Sequence, residues 1–185
     1  MDATDLSPPS TQAETRERLW AALEQLCDPE IPVLTLREMG ILRELRPAAD
    51  APGVWEVLIT PTYNGCPAMG QIEDDVRATV QGLGLQVRVL RQLAPAWSTD
   101  AMSPAAHEKL RAYGIAAPLP CVAAAAAGPE RLRFVRGAAD PEPPVPCPRC
   151  ASLQTVETSH FGSTACKALY KCLACQEPFD YFKPY

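Results

Sequence analysis

The sequence predicts an α+β fold: a small α-β-β-α-β domain with a short sheet covered by helices, followed by a C-terminal zinc ribbon. Three observations predict it. Apolar residues recur at helical spacing in two segments, around Leu19–Leu26 and Met69–Leu83, and alternate in short runs beside them. Residues 116–146 hold seven prolines and nine alanines, the composition of a linker. Two C-x-x-C pairs then follow within the last 40 residues. The expected organisation is a tail at 1–10, a domain at 11–115, a Pro/Ala-rich linker at 116–146 and a ribbon at 147–185.

Each element has its own warrant. Thr11 and Glu14 have capping-box spacing, and Leu19, Trp20, Leu23, Leu26 and Cys27 supply one apolar face behind them. Pro29 pushes Asp28 out of the helical region, so this first helix stops there and DPEIPV becomes a stiff loop. Leu36–Met39 suggests a helical turn ended by Gly40. Ile41–Arg46 and Val54–Thr60 read as strands around the turn PAADAPG, with Trp55, Val57 and Ile59 on one face. The loop TPTYNGCP leads to a second helix with Pro67 at its first position and Met69, Ile72, Val76, Val80 and Leu83 as its stripe. Leu85–Leu90 is a third strand. Ser103-Pro104 starts a short third helix that Gly114 ends. Leu132–Val135 suggests a short strand within the linker.

Composition excludes several classes of function. The chain has 185 residues and a formal charge of −5, the wrong sign for a general nucleic-acid binder. The ribbon from Val145 to Tyr185 has four Lys/Arg against three Asp/Glu, too little for an electrostatic footprint. No run reaches the roughly 18 apolar residues of a membrane span, and the polar start MDATDLSPPSTQ lacks the features of a secretory signal. The expected location is the cytoplasm, where eight cysteines point to metal or thiol chemistry rather than disulfides. Two histidines leave little scope for a hydrolase. The single Glu-x-x-His, Glu157 to His160, falls in the ribbon and is a poor di-iron ligand set. His107 is expected on a surface.

Cys147, Cys150, Cys172 and Cys175 form the two knuckles, with 21 residues between the pairs. Two such turns can converge four thiolates into a closed tetrahedral site that suits structural Zn²⁺. A single iron or an iron–sulfur cluster also accepts four cysteines and stays open as an alternative. A module this small builds little core, so the metal is expected to supply much of its folding energy.

Cys66 is expected near the start of the second helix, where unpaired N–H groups favour a thiolate. Such a thiol is a candidate nucleophile or soft-metal ligand, or simply a space-filling cap. Asp28 and Glu30 on the stiff loop are candidates for a polar rim that binds iron, or plain solvated charges. Cys166 lies outside both knuckles, either a buried small residue or an extra thiol favoured as thiolate by Lys167.

The motifs Asp28-Pro-Glu-Ile-Pro-Val33, Met39-Gly-Ile41 and Thr60-Pro-Thr-Tyr-Asn-Gly-Cys-Pro67 resemble those of the metal–sulfur cluster assembly factors. Ala94-Pro-Ala-Trp-Ser-Thr-Asp100 and Phe161-Gly-Ser-Thr-Ala-Cys-Lys-Ala168 narrow the resemblance to the accessory proteins of the phenylacetyl-CoA epoxidase system. The resemblance implies a non-catalytic maturation factor of a multicomponent oxygenase, whose core subunits carry di-iron and whose reductase carries flavin and a 2Fe–2S cluster. It further implies that Cys66, with Asp28 and Glu30 beside it, contacts a transient iron–sulfur cluster or iron, while the four knuckle cysteines hold structural Zn²⁺. The implied partners are the oxygenase and reductase subunits of that system. One thiol cannot hold a cluster alone, so either a homodimer around Cys66 or help from Cys166 is expected. The alternative is a structural adaptor that uses Phe179, Tyr181 and Phe182 as interface anchors instead of ribbon core.

Overall fold

The computed structural model describes residues 11–119 and 143–185. They fall into two compact units, one of Met1–Pro61 with Pro67–Ala96, the other of Thr62–Cys66 with Trp97–Tyr185.

The first unit has the expected α-β-β-α-β order. Helix α1 (Gln12–Leu23) opens on the capping box: Thr11 Oγ1 accepts the Glu14 N–H and the Glu14 carboxylate accepts the Thr11 N–H. Two of the helix's orphan donors are thereby satisfied. Leu19 and Leu23 are its buried face, whereas Cys27 is exposed beyond the helix end. Residues 36–40 form the expected helical turn, in which the Met39 N–H donates to the Thr35 carbonyl at 3.0 Å, and Gly40 ends it in the left-handed region at φ 69°. Leu34, Leu36 and Met39 are buried, so the segment plugs the core with side chains while its backbone reverses.

Strands β1 (Leu42–Pro47) and β2 (Val54–Ile59) pair antiparallel. Helix α2 (Met69–Gly82) then crosses over to β3 (Gln86–Arg91), which lies parallel to β2, giving the order β1-β2-β3. Parallel neighbours require such a crossover. Trp55, Val57 and Ile59 are buried as expected, and Met69, Ile72, Val76 and Val80 are the buried stripe of α2. Each aliphatic side chain buried in this way contributes about 1.5–3 kcal/mol. Glu56, on the other face of β2, is also buried, and two guanidiniums compensate it: Arg46 and Arg88, both at 3.0 Å.

The second unit contains the third helix and the ribbon. Ser103 caps α3 (Pro104–Tyr113) by accepting the Ala106 N–H, and Pro104 occupies its first turn. Gly114 ends it at φ 97°, where an added Cβ would stand 3.2 Å from the Arg149 guanidinium. Strand β4 (Ile115–Ala116) follows directly, and β5 (Thr155–Ser159), β6 (Lys167–Cys172) and β7 (Pro178–Phe182) complete a sheet ordered β4-β7-β6-β5. β4 is parallel to β7, and the other pairs are antiparallel.

Two features differ from the expected organisation. Helix α3 packs in the ribbon's unit, not with the first domain. Ala116 and Val145, which flank the Pro/Ala-rich stretch, share one buried cluster with Cys147, Ala168, Tyr170, Cys172, Phe179 and Tyr181. Residues near both ends of the stretch therefore belong to a single core. Two apolar strand residues after a glycine carry too short a pattern to be read as a strand. The strand expected at Leu132–Val135 lies outside the described residues, as does Cys121.

Candidate functional site

The two knuckles converge. The Sγ atoms of Cys147, Cys150, Cys172 and Cys175 all lie within 4.8 Å of one another, with Cys147–Cys175 at 3.7 Å and Cys150–Cys172 at 3.6 Å. Thiolates about 2.3 Å from a central zinc ion at tetrahedral angles have sulfurs about 3.8 Å apart. The cage is therefore of the size that one such ion requires.

The two turns are copies of one another. The Cys147 N–H donates to the Ser152 carbonyl at 2.9 Å, and the Cys172 N–H to the Glu177 carbonyl at 3.0 Å. The residue after each second cysteine is left-handed without being glycine: Ala151 at φ 60° and Gln176 at φ 64°. That conformation is strained for a residue with a Cβ.

Four thiols so close cannot all ionise unaided. The Cys175 and Ala174 backbone amides, opposed by burial, bring Cys172 down to about 6. At Cys175 the Glu177 amide pulls down, but burial and the facing cysteines prevail and push it up to about 12. A divalent cation removes this conflict, because it stabilises all four as thiolates.

The other candidate cysteines, Cys66 and Cys166, both belong to the same unit. Cys66 is half-exposed on the 62–66 loop. Its N–H donates to the Tyr63 carbonyl at 3.1 Å, which closes a tight turn. Helix α2 begins only at Met69 with Ala68 as its cap, so Cys66 precedes the helix instead of capping it. The preceding residues turn on their own hydrogen bonds, and Pro67 stands outside the helix rather than at its first position.

Cys166 is 8 % exposed and shares a 3.0 Å hydrogen bond with Thr164 Oγ1. The two thiols, 100 positions apart in the chain, both act on Tyr63. Burial first, then the charges of Cys66 and Cys166, push that phenol above its usual value, against the Ala165 backbone amide, which lowers it. Tyr185 is raised as well, by burial and then by Cys166. Tyr185 stacks on Tyr63 at 6.3 Å, and Trp97 meets Tyr185 edge-on at 6.3 Å. Sequence reasoning singled out both cysteines but not the tyrosines around them. The only signal for Tyr63 was its place in the same loop as Cys66.

Asp28 and Glu30 belong to the first unit. Asp28 is buried, and its Oδ1 accepts the N–H groups of Glu30 at 2.9 Å and Ile31 at 2.8 Å. The carboxylate thus staples its own loop, while Glu30 is exposed. A groove of about 870 Å³ is lined by Met102, His107, Arg111, Leu119 and Arg149 together with the first knuckle, but by neither Cys66 nor Cys166. His107 is tied there to the Ser103 carbonyl at 3.1 Å. Phe179, Tyr181 and Phe182, the anchors of the adaptor alternative, are 6 %, 6 % and 0 % exposed, and so pack as ribbon core. No helix among the described residues is long and apolar enough to cross a membrane.

Comparison with known proteins gives a consistent picture. Residues 16–90 match the family described as iron–sulfur cluster assembly protein, and residues 133–183 match the PaaD zinc beta ribbon domain. The chain is 45% identical over 166 residues to the Escherichia coli (strain K12) protein named as the D component of a "Putative 1,2-phenylacetyl-CoA epoxidase", covering 89% of this chain and 90% of that one. It is 34% identical over 99 residues to the "Fe-S protein maturation auxiliary factor" of Porphyromonas gingivalis (strain ATCC BAA-308 / W83), covering 52% of this chain and 91% of that one. A crystal structure of a domain of unknown function from Bacillus anthracis aligns with TM-score 0.48 and 26% identity over 54% of this chain and 93% of that chain. With an assembly-type domain ahead of a four-cysteine ribbon and this identity over most of its length, the chain belongs to the family of the D components of phenylacetyl-CoA epoxidase.

Proposed function

We propose that the chain is a non-catalytic maturation factor that assembles or delivers an iron–sulfur cluster, or iron, to a phenylacetyl-CoA epoxidase, with the reductase subunit as recipient. The observation that carries this reading is the half-exposed Cys66 thiol, held on a turn with Cys166 in the same unit. A delivery protein must bind iron through soft ligands and release it again, which an accessible thiol permits and a closed cage does not. A second thiol from the same chain removes the need for a homodimer. The relatives' names support the iron–sulfur role and the epoxidase as client.

Within this reading the four knuckle cysteines hold Zn²⁺, which folds the ribbon and takes no part in transfer. Asp28 shapes its loop, and Glu30 remains as an oxygen donor. The test compares wild type and Cys66→Ser after anaerobic loading with iron and sulfide, reading cluster absorbance and activation of the apo-reductase. Loss of both in the variant is expected, and equal activation would remove Cys66 from the mechanism. Metal analysis should give one zinc per chain in both proteins.

The adaptor reading retains one observation in its favour: Leu153, Val156 and Leu173 of the ribbon are exposed apolar residues. It calls for stable co-purification with the oxygenase and no requirement for Cys66.

A further inference from the structure

We propose that Tyr63 and Tyr185 are positioning residues that present the Cys66 and Cys166 thiols as one two-sulfur site for a soft, thiophilic centre. The inference rests on the functional reading above and deepens it, by naming what makes two distant cysteines act together.

The contacts form a continuous path from the backbone turn of Cys66 to the backbone beside Cys166. Cys66 is bonded through its N–H to the Tyr63 carbonyl at 3.1 Å. The Tyr63 ring lies against the Tyr185 ring at 6.3 Å with 15° between planes. Tyr185 Oη donates to the Ala165 carbonyl at 3.1 Å, one residue before Cys166. The Tyr185 carbonyl accepts the Thr99 N–H at 3.2 Å, and Trp97 closes the third side. Lys183, two residues before Tyr185, donates its N–H to the Cys166 carbonyl at 2.9 Å. Each tyrosine thus fixes one thiol-bearing turn and the other tyrosine. With rotatable freedom removed beforehand, a second sulfur acts as an intramolecular ligand at an effective concentration of about millimolar or above.

The chemistry of the surroundings suits sulfur ligation rather than oxygen ligation. Both phenols are held protonated, so they border the site as neutral hydroxyls. Thr164 Oγ1 at 3.0 Å can donate to a Cys166 thiolate. Exposure is graded, with Cys66 accessible and Cys166 buried, so an arriving centre meets Cys66 first.

The test uses phenylarsine oxide, which takes two thiols: two As–S bonds form, the As–O bond breaks, and the two thiol protons leave with the oxygen as water, without redox change. The protein is the zinc-loaded full chain carrying Cys27→Ser and Cys121→Ser, so that the knuckles are protected and other thiols removed. Tight binding of one arsenical per chain is expected. Cys66→Ser and Cys166→Ser should each weaken it about 100-fold or more, Tyr63→Leu about 10-fold, and Tyr63→Phe, which keeps the stacked ring, by no more than about 3-fold. Zinc content equal to wild type shows that a variant is folded. Should Tyr63→Leu fail this check, Tyr185→Phe, which lacks only the hydroxyl bonded to Ala165, replaces it with an expected loss of about 3-fold. Wild-type affinity in Tyr63→Leu (or its replacement), or in either serine variant, overturns the proposal. If the arsenical shows a clamped pair but Cys66→Ser still activates the reductase, the delivery reading fails and the site stands. If Cys66→Ser abolishes activation while the arsenical shows no pairing, the clamp fails and delivery stands.

Discussion

Thr60 follows β2 at the mouth of the loop that leads to Cys66, and its side chain creates a local debt. The residue is 1 % exposed, and its Oγ1 has no hydrogen-bond partner among the described residues. A buried hydroxyl without a partner costs about 1–3 kcal/mol relative to water. Thr60→Val keeps the branched shape and the backbone bond from the Thr60 N–H to the Ile41 carbonyl, while replacing the hydroxyl with a methyl group. The added methyl contributes about 0.8 kcal/mol more if it is accommodated. The expected gain is about 2 kcal/mol, an increase in the folding equilibrium of roughly 30-fold. Two units need not unfold together, so amide exchange at Val57 and Ile59 is the suitable assay, because those amides report on the first unit alone. Slower exchange by more than about 10-fold in Thr60→Val is expected. Faster exchange, a loss of about 1 kcal/mol or more, would refute the reasoning by showing that the hydroxyl is paired in solution.

Other perturbations test the cage and the ion pairs. Removing the metal with a chelator should unfold the ribbon while leaving the β1-β2-β3 unit intact, seen as loss of dispersed amide signals only from residues of the second unit. Ala151→Val places a β-branched side chain at φ 60° and should weaken zinc binding by about 1–2 kcal/mol, roughly 5–30-fold, in a chelator competition, whereas Ala151→Gly should bind at least as well as wild type. Glu73 titrates below the usual carboxylate range: burial pushes it up, but its bonds to Arg91 and Arg77 outweigh burial and lower it. Its contribution to stability is therefore present above about pH 4.5 and lost as pH falls through the lower folded value. Glu73→Gln should flatten that part of the acid-denaturation curve. Unchanged steepness would mean the pairs with Arg77 and Arg91 are not held in solution.

The parts of this molecule legible from sequence are those specified by local pattern. The capping box at Thr11 and Glu14 and the α2 stripe each express a local pattern that needs no tertiary information, whereas β2 is buried on both faces from Trp55 to Ile59 and shows no alternation. The four-thiolate cage was legible because spacing within each knuckle already dictates the turn. The surroundings of Cys66 and Cys166 were only half legible. Both cysteines stood out by type, but Tyr185 reaches Tyr63 across more than 100 residues, and no periodicity encodes such a contact. Asp28 was legible only by type as well. A carboxylate beside a proline suggests a solvated or ligating group, yet here backbone amides two and three residues ahead claim one of its oxygens. The tail aromatics were ambiguous because a small module has equal use for them inside and outside, and burial decided it.

Because Ala116 and Val145 are seated in one core, the chain between them starts and finishes at the same buried cluster. Ring-closure entropy grows only with the logarithm of length, about 0.6 kcal/mol per doubling. Changing the number of residues between these two anchors therefore alters the closure entropy by only that small amount.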